Sequence, residues 1–139
     1  MSIVVILISR PGTAAAIGDL HADTITVIGP GAVGVDVALR PLPRSIDRLR
    51  ALAWRSPLGR NLVRISPFDV SRRLWRALRR NTSIAALVHD ADVVVAGDRD
   101  AVFSVWRMAR KPQAFGYGWT AVYGFAAARF ALDTSRPED

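Results

Sequence analysis

The sequence predicts an α/β fold, a single doubly wound, mainly parallel sheet of Rossmann-like kind with helices on both faces, and three observations carry that expectation. Two uninterrupted apolar runs, Ile3 to Ile8 and Val93 to Ala96, lack polar alternation and so read as strands buried on both faces. Segments with helical spacing of apolar residues alternate with the strand-like ones. Glycine and proline clusters separate them, as at Pro11-Gly12 and Gly29-Pro30-Gly31. With 139 residues, half of them hydrophobic, the chain can bury one core. The expected organisation is a Rossmann-like domain over residues 1–132 and a polar tail over 133–139.

Element by element, Ile3 to Ile8 is the first central strand, and Thr13 to Leu20 supplies one or two helical turns. Thr24 to Ile28 is a second strand, stopped by Gly29, and Val35 to Leu39 a third. Pro41 and Pro43 open a helical region in which Ile46, Leu49 and Ala53 share a face. Ser66-Pro67 reads as a helix start, with a capping hydroxyl, a proline in the first turn and Asp69 near the positive end of the dipole. That helix is expected to run to about Arg80, with Val70, Leu74, Ala77 and Leu78 on one side and Arg72, Arg73, Arg76, Arg79 and Arg80 on the opposite arc. A helical turn at Ser83 to Val88 precedes the central run Val93 to Ala96. Ala101 to Ala109 is a helix stopped by Pro112, Ala114 to Tyr117 a short fifth strand, and Thr120 to Leu132 the closing helix. The two longest apolar runs are expected side by side at the sheet's centre.

Composition excludes several chemistries. There is no cysteine, hence no disulfide scaffold, thiolate zinc site or cysteine nucleophile. His21 and His89 are the only histidines and do not form a ligand-spaced pair, so no metal site is expected. No G-x-S-x-G elbow accompanies His89-Asp90, which removes support for a hydrolase triad. Met1 to Ser9 reads as a strand rather than a targeting segment, and Trp119 to Leu132, with Arg129 inside, is shorter than the roughly 20 residues that span a bilayer. A cytoplasmic protein, soluble or peripheral at the inner face of the membrane, is expected.

The net charge of +7 is concentrated. Between Arg40 and Arg80 lie twelve arginines and only Asp47 and Asp69 as acids, so the rest of the chain is net negative. Clustered guanidinium groups have three readings: a solvated or partner-facing surface, an anionic membrane surface, and a nucleic-acid backbone site. Trp54 and Trp75 within the block suit a headgroup layer, whereas no nucleic-acid-binding motif accompanies them, which makes nucleic acid the less favoured partner. Gly29-Pro30-Gly31-Ala32-Val33-Gly34 matches G-x-G-x-x-G after a strand. The dinucleotide reading requires a long helix behind it and an acidic residue about 20 positions on. Pro41 interrupts any such helix, and Arg48, Leu49 and Arg50 occupy the region where the acid is needed. No cofactor is therefore expected, and a small dinucleotide-binding protein stays as an alternative. Asp98, Arg99 and Asp100 follow a central strand, at the edge where α/β sheets place ligands. Asp100 also has the position of a helix cap, which leaves Asp98 as the favoured functional carboxylate.

The order of the first strand, "TITVIG", "GVDVALRPLP", the basic helices and "ADVVVAGDRDAVFSVWRMARKP" resembles the N-terminal, acceptor-side half of two-domain glycosyltransferases with the double-Rossmann architecture. The matching pieces are Ile3 to Ser9, Thr24 to Gly29, Gly34 to Pro43, the basic, often membrane-facing region Arg44 to Arg80, and Ala91 to Lys111. The segment from Gly12 to His21 is shorter than the family's first helix, and the donor-binding half, with its basic residues and glutamates, has no counterpart; the single glutamate is Glu138. The resemblance implies a role in polysaccharide or glycolipid assembly, as one half of a split enzyme with a donor-domain partner chain or as a non-catalytic partner, and an oligomer is compatible with either. It places acceptor contacts at Arg10, Gly12, Asp98 and Arg99.

Overall fold

The structure, a computed structural model, describes residues 1–11 and 17–135. Five strands, β1 (Ile3–Leu7), β2 (Thr24–Gly29), β3 (Val35–Asp36), β4 (Val93–Ala96) and β5 (Thr120–Tyr123), form one sheet in the order β3-β2-β1-β4-β5. Every pairing is parallel. This is the Rossmann-like order, in which the chain winds outward in both directions from the seam between β1 and β4. The two apolar runs meet there, with Val5 opposite Val94 and Leu7 opposite Ala96, as expected from their lack of alternation.

Period-two geometry sends successive side chains to opposite faces of the sheet. Val5, Leu7, Val94 and Ala96 pack against helices on one side: α3 (Val70–Arg79), α4 (Thr82–His89), α5 (Val102–Ala109) and the short α6 (Pro112–Phe115). The core there includes Leu74, Leu78, Ile84, Val88 and Met108. Val4, Ile6, Ile8, Val93 and Val95 face the other way, onto Leu20 and onto Ala128 and Leu132 of α7 (Phe125–Ser135). Two further helices, α1 (Arg44–Ala53) and α2 (Pro57–Ile65), pack on each other as a hairpin between β3 and α3.

Several elements differ from expectation, each for a local reason. Ser56, not Ser66, is the serine that starts a helix: its hydroxyl accepts from the Gly59 amide at 3.0 Å, with Pro57 in the first turn of α2. Pro67 forces Ser66 into an extended conformation, so Ser66 ends α2 and donates its hydroxyl to the Val63 carbonyl at 2.6 Å. Helix α3 then begins at Asp69, whose carboxylate accepts from the Ser71 amide at 3.1 Å.

At the other end, Pro112 opens a helical turn where the sequence predicts a strand from Ala114 to Tyr117, and Gly116 leaves it at φ +87°. The fifth strand is Thr120 to Tyr123, the start of the predicted closing helix. The open edge of β4 captures this segment, with Thr120 donating to the Asp92 carbonyl and Gly124 to that of Ala96. Gly124, at φ +80°, separates strand from helix. Helix α7 continues through Ser135, so the first three residues of the predicted tail are helical. The third strand is shorter than expected, only Val35 and Asp36. Of the predicted turn from Thr13 to Leu20, residues 13–16 lie outside the described residues.

Candidate functional site

In an open parallel sheet, strands that wind away from each other leave a crevice beyond their carboxyl ends. Here the crevice lies beyond Leu7 and Ala96, and a cleft of about 800 Å³ opens at that edge. Arg10 reaches it from the end of β1, Asp98, Arg99 and Asp100 from the end of β4, Arg72 from α3, and Arg50 and Arg64 from the hairpin. The structure thus brings together three of the four predicted acceptor contacts, Arg10, Asp98 and Arg99. Gly12 lies outside the described residues.

Both acidic residues line the cleft, and the cap expected at Asp100 forms at Asp98. Asp98 is the cap: one oxygen, Oδ1, accepts from the Ala101 amide at 3.0 Å and from the Ser9 hydroxyl at 2.8 Å, while Oδ2 accepts from the Ser9 amide at 2.7 Å. Its carboxylate therefore ties the end of β1 to the end of β4 and starts the 3-10 turn Arg99–Ala101. Asp100 instead looks across the cleft, accepting from the Ser71 hydroxyl at 3.3 Å and pairing with Arg10 at 3.4 Å. Asp69, the remaining acid in the lining, is held by the Ser71 amide.

Among the described residues, five arginines and three aspartates line the cleft, and all three carboxylates already accept hydrogen bonds from the protein. The surplus charge is positive. Trp54 and Phe103 form apolar wall, each with a guanidinium over its ring, Arg64 at 5.7 Å and Arg72 at 5.5 Å from the centroids. A site of this composition suits an anion attached to an apolar or ring-bearing body. Arg50, Trp54 and Arg64 were visible in the sequence only as members of the basic block. Their membership of the cleft depends on how the hairpin folds back, and Ser9 and Ser71 carry no motif at all.

The predicted basic arc is not uniform. Arg76 donates to the Pro67 carbonyl and Arg73 to that of Arg40, so both hold neighbouring loops. Burial, together with Arg50 and Arg76 nearby, lowers the pKa of the Arg73 guanidinium, and Asp47 acts in the opposite sense. Arg79 and Arg80 are exposed. Trp75 is 4% exposed and packs on Phe115 with ring centroids 5.9 Å apart, which removes it from any interface. Trp54 is 41% exposed.

The glycine-rich loop joins β2 to β3 and leads into a strand, not a helix. The Gly31 amide donates to Asp36 at 2.9 Å. Gly34 is required by close approach, since a Cβ there would lie 2.6 Å from the Val27 carbonyl oxygen. Among the described residues no three His, Cys, Asp or Glu side chains converge as a metal site, and no helix is long and apolar enough to cross a membrane. Comparison with protein-family models, curated proteins and solved structures finds no match to this chain.

Proposed function

We propose that the chain is an acceptor-side, glycosyltransferase-like domain working beside a donor-domain chain in polysaccharide or glycolipid assembly, peripheral to a membrane. The cleft takes a phosphate-bearing acceptor. The observation that carries this reading is the pairing of a Rossmann-like strand order with an arginine-rich cleft at the β1–β4 seam, whose carboxylates are engaged by the protein's own donors. Guanidinium groups bind phosphate bidentately, and Trp54 and Phe103 offer apolar surface beside them to the body of such a ligand. Arg99, beyond the end of β4, and Arg64, from the hairpin, would hold the phosphate, and the Asp100–Ser71 contact would hold the 3-10 turn against α3.

The test is titration calorimetry with a sugar 1-phosphate and a short-chain polyprenyl phosphate. Saturable binding is expected, about tenfold weaker in Arg99→Ala, which corresponds to roughly 1.4 kcal/mol. Arg129→Ala, an exposed position of α7 outside the cleft lining, should bind like the parent. No saturable binding, or equal loss in both variants, would reject the reading.

A further inference from the structure

The α1–α2 hairpin is built inside out. Helix α1 has no buried residue and α2 buries only Gly59 and Val63. Isolated helices of nine or ten residues are marginal in water and normally owe their stability to an apolar face packed on the rest of the fold. In α2 the apolar face is turned away. Leu58, Leu62 and Ile65 fall at i, i+4 and i+7, one stripe of the helix, and are 71%, 55% and 67% exposed. Leu49 and Leu52 of α1, Trp54 at the hairpin turn and Phe68 just beyond α2 are exposed too. Half of the exposed large hydrophobic side chains among the described residues therefore lie between positions 49 and 68.

Charge decides what covers them. Residues 44–65 carry Arg44, Arg48, Arg50, Arg55, Arg60 and Arg64 against the single acid Asp47, which pairs with Arg50 at 3.1 Å. A second copy meeting this face symmetrically would bring like charges together. A nucleic-acid backbone would satisfy the arginines and leave the aliphatic stripe in water. An anionic bilayer satisfies both, with side chains such as Leu62 entering the acyl boundary, Trp54 at headgroup level and the guanidinium groups on lipid phosphates.

We infer that the α1–α2 hairpin, and not the arginine arc of α3, docks the protein on an anionic phospholipid surface. The inference rests on the peripheral placement proposed above but not on the glycosyltransferase reading. Arg50, Trp54 and Arg64 belong to both hairpin and cleft, so docking through this hairpin sets the mouth of the cleft beside the headgroups.

The experiment is co-sedimentation of the full chain with vesicles of phosphatidylglycerol and phosphatidylcholine in equal parts, and with phosphatidylcholine alone. The parent is expected on the anionic vesicles, with a blue shift in tryptophan emission that Trp54→Phe removes. Combining Leu58→Ser, Leu62→Ser and Ile65→Ser should weaken binding more than a hundredfold, while circular dichroism and the melting temperature stay those of the parent, because the three side chains are already in water. Arg48→Gln, Arg55→Gln and Arg60→Gln together should weaken it at least tenfold. Arg72→Gln, Arg79→Gln and Arg80→Gln together should weaken it less than that. Failure of the parent to bind anionic vesicles, undiminished binding by the Leu58, Leu62, Ile65 variant, or displacement from vesicles by duplex DNA would each overturn the inference. Titration and vesicle binding of the parent separate the two readings: vesicle binding without phosphate-ligand binding rejects the acceptor cleft and leaves docking in place, and the converse result rejects docking alone.

Discussion

The centre of the sheet and the α1–α2 hairpin draw on the same aliphatic residues and put them in opposite surroundings. In β1 and β4 every residue from Val4 to Leu7 and from Val93 to Ala96 is at most 1% exposed, and each strand has neighbours on both sides and helices or loops on both faces. In the hairpin the leucines point outward and only Gly59 and Val63 are covered. The first region is stabilised by what the fold already contains. The second leaves Leu58, Leu62 and Ile65 in water, which is the exposure that the proposed docking on a bilayer would remove.

The contrast is sharpest for a buried charge. Val94→Asp should leave no soluble folded protein, because an unpaired carboxylate at the seam costs several kcal/mol, whereas Leu62→Asp should stay soluble and folded; expression of both followed by size exclusion and circular dichroism checks the pair. Equal behaviour of the two would refute the division into core and docking surface. Truncation gives the next largest difference: Leu74→Ala, at a fully buried site, should cost about 2–5 kcal/mol in urea unfolding, and Leu62→Ala should stay within about 0.5 kcal/mol of the parent.

A third comparison concerns two carboxylates that line the cleft, Asp98 at the sheet seam and Asp69 beyond the hairpin. Asp98→Ala removes the acceptor for the Ser9 amide, the Ser9 hydroxyl and the Ala101 amide, and should lower stability by about 2–3 kcal/mol. Asp69→Ala removes a single cap bond at the start of α3 and should cost about 1 kcal/mol. Thermal unfolding of the two variants side by side would break the comparison if the order reversed. The larger value would identify the β1–β4 stitch, and not the helix start, as the junction that fixes the cleft.

The sheet was legible wherever residues could be judged by their own neighbours. Short unbroken β-branched runs bounded by turn residues read as strands buried on both faces, so with helical segments between them the central positions of Ile3 to Leu7 and Val93 to Ala96 followed from pattern. Thr120 to Tyr123 was not legible in that way. Its alanine and aromatic content continues into α7, and only the vacant edge of β4 made it a strand. Ser56-Pro57 and Ser66-Pro67 are the same dipeptide, and local sequence offered no means to tell a start from a stop.

The candidate site divides along the same line. The sequence by itself determined the apolar centre, the concentration of arginine between positions 40 and 80, and the presence of Arg10, Asp98 and Arg99 just beyond two central strands, because strand burial and charge density are properties of adjacent residues. Tertiary structure alone decided that Asp98 is a cap and Asp100 a cleft residue, that Trp75 is buried and Trp54 exposed, and that Arg73 and Arg76 serve neighbouring loops while Arg64 reaches the cleft. Those outcomes turn on which way a helix faces and which backbone groups lie within hydrogen-bonding distance, and both are set by elements distant in the chain, as Ser9 and Asp98 are.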